Sequence, residues 1–368
     1  MDSANAGLST NRFARWPRIP AFLALVLLVV FVALAASTPI THTSGAAKPA
    51  VIPALADAGE VRTRPRDDDL ALYDVAIARI RNGENYYDFI AEEHRKAQYP
   101  LRPAVAVRLP TLAYLCAWAG GTGQVLASFA LLFAVMAAWW KRLGEEAGSK
   151  ALRVPAMALL MFGAELGTAR YYFTLHELWA GMLLALSFGL HRPGQWKAAL
   201  AVAALALAIR EHALPFVLLM GAMALWRRDW REGAAWSALV AAFLAALAIH
   251  MHLVNAMVLP TDGHSAPWLV LRGLTGLTSD IVLSSNLRYL PGWLAGPLVI
   301  LSIFGWAGWK TPTGAFGALL YMGYGLMFML AGRPDNFYWG FMVAPAMFMG
   351  LAFAPRAIKS LLTALRAS

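Results

Sequence analysis

The chain has 368 residues, of which 59% are hydrophobic and 14% are charged. Soluble domains carry roughly a quarter charged residues, so this composition excludes an ordinary soluble fold and indicates a membrane protein. The net charge of +10 is better explained by Lys and Arg in cytoplasmic loops than by nucleic acid, which is not expected as a partner. The single cysteine, Cys116, excludes an internal disulfide and a cysteine-ligated metal site.

The first apolar run predicts a transmembrane helix at 20–40, after an N-terminal tail at 1–19. The tail contains Arg12, Arg15 and Arg18, so we expect it to be cytoplasmic. A cleaved signal peptide is the alternative, since small residues follow the run. The length of the run and the many apolar runs after it favour an uncleaved span.

The next segment, 41–121, is predicted to be a long outer loop that contains interfacial helices. Within it, Leu70, Tyr73, Ile77 and Ile80 recur at helical spacing. An aspartate precedes this pattern and a glycine follows it. Together these features predict an amphipathic helix with defined ends.

A second short helix is predicted at 85–98, and the apolar segment 104–119 follows it. Arg108 and Pro110 interrupt that segment. If it crossed the membrane, the basic loop 141–153 would fall outside and every later loop would invert. We therefore predict that 104–119 lies in the membrane interface.

The later apolar runs predict a transmembrane bundle at 122–353 and a basic cytoplasmic tail at 354–368. The expected fold is all-α, a polytopic transmembrane helical bundle with both termini cytoplasmic. With the first helix there are about ten predicted spans, at 20–40, 122–140, 153–168, 174–190, 196–209, 213–226, 235–257, 291–309, 312–331 and 337–353.

This topology brings acids and bases to the outer ends of apolar helices. Ionisable residues at such positions are costly unless they are paired or functional, so the outer, periplasmic face is predicted to carry the functional site. The candidate residues are Asp67, Asp68, Asp69, Arg170, His176, Glu177, Arg210, Glu211, Arg333 and Asp335.

Three adjacent aspartates, Asp67–Asp69, are unusual in a chain with few acids. Helix capping stabilises by about 1 kcal/mol and accounts for one of them. The others can be solvated or can pair with the arginines just before them. A carboxylate at this surface can instead act as a general base toward a hydroxyl, or bind a cation.

Arg210, Glu211 and His212 lie between two apolar runs. They can form an ion pair at a helix end, or Arg210 can be directed at an anion. Arginine suits phosphate because the guanidinium fork matches the phosphate oxygens, and Arg170 and Arg333 are candidates for the same role. The histidines lack zinc-like spacing, so no metal site is predicted.

The first outer loop contains the short motifs Asp69-Leu70-Ala71-Leu72-Tyr73, Asn82-Gly83-Glu84-Asn85-Tyr86-Tyr87 and Tyr99-Pro100 with Pro103 and Leu109-Pro110-Thr111-Leu112. In combination, these motifs resemble the GT-C superfamily of integral membrane glycosyltransferases, of the protein mannosyltransferase or aminoarabinose transferase type. Later segments that resemble bacterial relatives are Arg210-Glu211-His212-Ala213-Leu214-Pro215 and Gly332 to Trp339. The usual Asp-Glu pair is here Asp-Asp followed by Leu, and the soluble C-terminal domain of many members is missing.

The resemblance implies transfer of a sugar from a polyprenyl-phosphate donor to an acceptor, which is a lipid, a glycan or a protein. An aspartate of the outer loop then deprotonates the acceptor hydroxyl, with Asp69 as the best match and Asp68 second. Arg210, Arg170 and Arg333 are the expected phosphate ligands, and Tyr73, His176, Glu177, Glu211 and Asp335 complete the expected substrate site. Membrane lipid is an expected partner, and the resemblance implies a location in the bacterial inner (cytoplasmic) membrane with the active face periplasmic. Metal dependence stays open, because three aspartates can bind a divalent cation.

Two other functions remain open from the sequence. A transporter or flippase of a lipid-linked glycan would need charges near the bilayer midplane on interrupted helices, whereas the charges here collect at one face. A non-catalytic protein of envelope assembly would tolerate substitution of every outer-face charge.

Overall fold

The computed structural model describes residues 11–41 and 68–366, which form an all-helical protein. Five helical stretches are long and apolar enough to cross a membrane. The helices are α1 Arg18–Ser37, α2 Asp68–Arg81, α3 Tyr86–Lys96, α4 Thr111–Glu145, α5 Arg153–Ala164, α6 His176–Leu190, α7 Lys197–Ile209, α8 Leu214–Trp226, α9 Trp230–Ala256, α10 Gly273–Leu283, α11 Gly292–Gly308, α12 Pro312–Leu330, α13 Ala344–Met347 and α14 Gly350–Arg366.

The long helices carry exposed apolar side chains, as lipid-facing surfaces require. The five stretches that meet the length and composition needed to span are Arg18–Ser37, Ala104–Glu145, Lys150–Thr168, Trp230–Ala256 and Pro312–Leu330. Five shorter apolar helices pack among them, at His176–Leu190, Lys197–Ile209, Glu211–Trp226, Gly273–Leu283 and Gly292–Gly308. Helices therefore occupy nine of the ten predicted span positions, and α10 is an additional apolar helix between the predicted spans 235–257 and 291–309.

The predicted boundary between interfacial segment and span falls at a kink inside α4. Gly120 has φ 66° and ψ 178°, which is not helical and which glycine adopts without steric cost. The helix therefore changes direction between 111–119 and 121–145. Helices α2 and α3, predicted as amphipathic, pack beside this kinked segment, with α2 against α4.

The last predicted span, 337–353, is not one continuous helix. It consists of a 3₁₀ helix, Pro334–Met342, then the short α13, and then the first turn of α14. Pro345 lies in the first turn of α13, where proline is tolerated, but it would break a helix that continued through it. Helix α14 extends to Arg366, so the predicted basic tail is helical over its described part and packs against α1 and α11.

Close backbone packing holds this broken segment against α10. A Cβ on Gly340 would lie 2.0 Å from the backbone oxygen of Asp280. We therefore expect Gly340→Ala to lower the free energy of unfolding by about 1–3 kcal/mol, because the backbone must shift. Gly323 is a matched control on α12, since a Cβ there meets nothing within 4 Å. Thermal unfolding in detergent measures both variants, and equal melting temperatures would contradict this packing.

The turns that were predicted to be cytoplasmic meet at one end of the bundle. Arg142, at the end of α4, is buried and donates hydrogen bonds to the Phe188 carbonyl at 2.6 Å and to Thr313 Oγ1 at 2.8 Å. His191 Nε2 lies 2.7 Å from Glu232 Oε1 in the same region. Buried polar contacts thus join the ends of α4, α6, α9 and α12 on the side predicted to be cytoplasmic, while the predicted outer residues lie at the opposite helix ends.

Candidate functional site

A cavity of about 430 Å³ lies at the end of the bundle that was predicted to face outward. This size is typical of small-ligand sites. Its walls come from the start of α2, the segment 99–108, the turn after α7, the loop before α10 and the segment 333–339. The charged residues that line it are Asp69, Arg108, Arg210, Glu211, Arg333 and Asp335, together with His94 and His212.

Asp69 lies in the first turn of α2, where its negative charge suits the helix N-terminus. It follows the first helical residue, Asp68, and is therefore not the cap. Its carboxylate Oδ2 accepts a hydrogen bond from the Tyr338 hydroxyl at 3.4 Å. The predicted candidate Asp67 and the side chain of Asp68 lie outside the described residues. Asp69 is thus a cavity-lining carboxylate rather than a helix cap.

Arg108 connects two tyrosines in the cavity wall, and sequence reasoning did not identify it as a site residue. Its Nε donates to the Tyr73 hydroxyl at 3.0 Å, and its Nη2 donates to the Tyr338 hydroxyl at 3.4 Å. Asn336 Nδ2 also donates to Tyr338, at 3.1 Å. The Tyr338 hydroxyl therefore links Arg108 to Asp69. An arginine inside an apolar run was the available signal, because such residues are costly without a partner or a function.

Arg210 is the most deeply buried cation of the cavity, with 1% of its side chain exposed. Its Nε lies 2.7 Å from Oε1 of Glu177, which is also buried, and Nη1 pairs with Glu211. Among the described residues, neither Nε nor Nη2 of Arg210 makes a hydrogen bond, and of the two only Nε has an ion-pair partner, Glu177. A buried donor without a partner costs about 1–3 kcal/mol, so Nη2 is suited to an oxygen supplied by a ligand.

Arg333 and Asp335 form the more exposed part of the wall. Arg333 Nε lies 3.2 Å from Asp335 Oδ1, and its Nη1 donates to Ser265 Oγ at 3.3 Å. Asp335 is exposed, so this pair contributes little to stability. The side chains of Arg333 and Asp335 can therefore rearrange around a ligand at a small cost in free energy.

Three predicted site residues, Arg170, His176 and Glu177, are not among the residues that line the cavity. Arg170 is exposed in a short 3₁₀ turn. His176 is buried, stacks edge-on against the Tyr73 ring at 5.0 Å and borders a small void of about 10 Å³. Glu177 supports Arg210 from behind and reaches Arg108 at 3.8 Å. Residues that were predicted to share the outer face therefore do not all line the same cavity.

Tyr73 is a hydrogen-bonding residue of the cavity rather than a base. Burial raises the pKa of its hydroxyl to about 12, although the nearby Arg108 acts in the opposite direction. The hydroxyl is therefore protonated at neutral pH. It accepts from Arg108 and keeps its own proton for donation to a ligand.

His94, on α3, lines the cavity in its neutral form. Burial lowers the pKa of its imidazole from 6.5 to about 4, and the contact with the Pro100 carbonyl offsets this in part. A folded-state pKa below the unfolded value means that the unfolded protein binds the proton first, so stability is lost as pH falls. We expect the free energy of unfolding to decrease by up to about 3 kcal/mol between pH 6.5 and pH 4. Over this pH range the melting temperature of His94→Phe should fall less steeply than that of the native protein. Equal slopes would show that His94 is not the cause of the pH dependence.

Within residues 11–41 and 68–366, no three His, Cys, Asp or Glu side chains lie close enough to hold a metal ion together. The arrangement instead combines three carboxylates, three arginines and several hydroxyl donors around one cavity. No family model matches the chain, and no curated protein or solved structure matches it either.

Proposed function

We propose that the chain is a membrane glycosyltransferase of the GT-C type. It transfers a sugar from a polyprenyl-phosphate donor to the hydroxyl of an acceptor at the periplasmic face of the bacterial inner membrane. One observation carries the proposal: a single cavity is lined both by the carboxylate of Asp69 and by Arg210, whose Nη2 lacks a partner among the described residues. A base and a phosphate ligand are the two groups that this reaction needs.

In the proposed reaction the acceptor oxygen attacks the anomeric carbon of the sugar. Asp69 takes the hydroxyl proton as the new carbon–oxygen bond forms. The bond between the anomeric carbon and the phosphate oxygen breaks, and polyprenyl phosphate leaves with the electron pair. The products are the glycosylated acceptor and a lipid phosphate that carries one more negative charge.

The leaving phosphate is stabilised by the arginines of the cavity. Donors that are fixed before the reaction, in a site that excludes water, stabilise developing charge strongly. Arg210 is held from behind by Glu177, so its position does not depend on the ligand. Arg108 and Arg333 extend the cationic wall on either side of it, and the position of Arg170 favours no role in phosphate binding.

The proposed protein has ten spans. Five of them are the helical stretches of spanning length, which cross together with the shorter helices α6, α7, α8 and α11, and the broken segment 337–353 is the tenth. Helix α10 lies on the outer side in this arrangement. Helices α2 and α3 and the 111–119 part of α4 then lie at the outer interface, and α2 and α3 contribute to the wall of the cavity. In this arrangement the lipid substrate remains in the outer leaflet while its phosphate reaches Arg210.

The Tyr338 hydroxyl orients Asp69 toward the acceptor in this mechanism. We expect Tyr338→Phe to lower the rate of sugar transfer about tenfold to a hundredfold, since a hydrogen bond to an ionised carboxylate is worth about 1.5–3 kcal/mol. Binding of the donor should change little, because the hydroxyl contacts the base and not the phosphate ligand Arg210. Steady-state kinetics in detergent separate the two effects, and a raised KM with unchanged kcat would place Tyr338 on the donor instead.

The proposal is tested with the full chain reconstituted in liposomes and supplied with radiolabelled polyprenyl-phosphate sugars and membrane extract as the acceptor source. A glycosyltransferase forms a covalent product, which survives extraction of the lipid donor. A transporter or flippase moves labelled donor across the bilayer without forming such a product. Movement without covalent transfer, for every sugar donor tried, would replace the proposed function with transport.

A further inference from the structure

A stretch of exposed apolar residues lies in the loop between α9 and α10, at 257–272. Leu269 is 85% exposed, Leu271 is 80% exposed and Val270 between them is 37% exposed. Exposed leucines on a spanning helix are expected, because they face lipid. Three consecutive exposed apolar residues in a loop are not expected in water, and they indicate an interaction surface. We call Leu269–Leu271 the apolar segment.

Two backbone hydrogen bonds fix the position of the apolar segment relative to α12. Gly332 N donates to the Trp268 carbonyl at 2.7 Å, and Arg272 N donates to the Met329 carbonyl at 2.9 Å. The second bond satisfies a carbonyl at the end of α12, which has no partner within its own helix. The apolar segment is therefore fastened beside the last turn of α12, at the edge of a stretch with the length and composition of a membrane span.

The exposed surface of α12 continues onto the apolar segment. Leu326 is 56% exposed and Leu330 is 46% exposed, one turn apart on the outer half of that helix. If α12 spans the membrane, its lipid-facing surface and the apolar segment form one continuous apolar face at the outer edge of the hydrocarbon.

The residues next to the apolar segment on its other side line the cavity. Trp268 and Ser265 are both in the cavity wall, and Ser265 Oγ accepts a hydrogen bond from Arg333 at 3.3 Å. The same loop therefore borders the lipid-facing surface with one part and the charged cavity with another. The two parts adjoin in the chain, because Trp268 directly precedes Leu269.

Charged contacts fix the loop at both ends. Arg272, directly after the apolar segment, donates to Asp280 Oδ1 of α10 at 2.8 Å, and Asp280 is fully buried. At the other end, Arg95 of α3 binds both carboxylate oxygens of Asp262 at 2.8 and 2.9 Å. The loop is anchored to the bundle and to an interfacial helix, so the apolar segment keeps its position at the cavity edge.

We propose that the apolar segment is the lipid entrance of the cavity: the hydrocarbon chain of the lipid-phosphate substrate lies over Leu269–Leu271 while its phosphate enters beside Trp268 and Arg333. This inference rests on the proposed function for the identity of the lipid. It adds a binding surface for the chain of that lipid, which lies outside the cavity.

The position of the apolar segment in the bilayer is tested with spin labels at introduced cysteines. The native Cys116 is 2% exposed, so labelling of Leu271→Cys can be measured against a low background. In liposomes, a label at 271 should be accessible to oxygen and protected from a water-soluble nickel chelate. Thr261→Cys is the matched control, because Thr261 is exposed in the polar part of the same loop, and its label should be accessible to the chelate. Chelate access at 271 equal to that at 261 overturns the proposal.

Contact with the substrate chain is tested by photocrosslinking. Leu271→Cys carrying a benzophenone should capture labelled undecaprenyl phosphate several-fold more efficiently than Leu34→Cys does, since Leu34 is 50% exposed near the end of α1 that was predicted to face outward. Farnesyl phosphate, with its short chain, should be captured less at 271. Equal capture at 271 and 34 means that the apolar segment contacts bulk lipid only, and this overturns the entrance role.

The two proposals can fail separately. If undecaprenyl phosphate is captured at 271 but no sugar is ever transferred, the lipid entrance stands and the glycosyltransferase assignment fails. If sugar is transferred, and Leu269→Gln with Leu271→Gln leaves kcat/KM unchanged for both long-chain and short-chain donors, the entrance fails while the enzyme stands. A several-fold loss confined to the long-chain donor supports both.

Discussion

Asp69→Asn is expected to lower sugar transfer by about a hundredfold to ten-thousandfold, which is the range that a positioned general base contributes. Asparagine keeps the shape of the side chain and can still accept the hydrogen bond from Tyr338, which is 3.4 Å away in the native protein. Folding and membrane insertion should therefore be preserved. Covalent product formed per amount of folded protein, in detergent or in liposomes, is the measurement.

Two neighbouring carboxylates serve as controls for this result. Asp335 lines the same cavity but is exposed and paired with Arg333, so Asp335→Asn should retain most of the activity. Asp68 is the second match to the family motif, and Asp68→Asn is expected to be active. If the variant that lacks both Asp68 and Asp69 still transfers sugar, neither aspartate is the base.

Removal of Arg210 is expected to have an effect of similar size. A preorganised donor that stabilises developing charge is worth on the order of a hundredfold to a thousandfold in rate. The single variant Arg210→Gln would also leave Glu177 buried without its partner, which costs about 3–5 kcal/mol of stability. The informative variant therefore replaces both residues, Arg210→Gln with Glu177→Gln. It should insert and fold, with kcat/KM for the lipid donor strongly reduced.

The other end of the bundle offers a matched control for the removal of a buried ion pair. Arg142 Nε lies 3.6 Å from Glu146 Oε1, and Arg142 is as buried as the core around it. Arg142→Gln with Glu146→Gln should lower stability but leave the activity per folded molecule near that of the native protein. Equal loss of activity in the two double variants would show that Arg210 acts through folding and not on the phosphate.

Arg333→Gln should have a smaller effect on sugar transfer than the change at Arg210, because the Arg333 side chain is partly exposed and already paired with Asp335.

The helices were largely predictable because apolar runs of spanning length have few alternatives in a membrane protein. The kink at Gly120 coincides with the boundary that was drawn from loop charge alone. The broken segment 337–353 was not foreseen, although Gly340, Pro345 and Gly350 interrupt it. The apolar composition of this segment did not indicate the break, because residues buried against α10 and α11 are as apolar as residues that face lipid.

The sequence indicated several of the charged residues of the site, but it did not indicate which residues contact one another. Asp69, Arg210 and Arg333 do line one cavity, as their shared outer face indicated. Arg108 was seen only as an interruption of an apolar segment, because its partners Tyr73 and Tyr338 are 35 and 230 residues away along the chain. Periodicity and loop charge carry no information about contacts over such separations. For the same reason they could not exclude Arg170 from the cavity.

The central claim is that the cavity beside Asp69 holds the phosphate of a lipid-linked sugar. An experimental structure of the full chain with bound undecaprenyl phosphate tests it most directly. The account predicts density for the phosphate within hydrogen-bond distance of Arg210 Nη2, in the cavity that Asp69 and Arg333 line. It predicts that the chain of the lipid leaves the cavity over Leu269–Leu271. Phosphate density at another site, with this cavity filled by water alone, would contradict it.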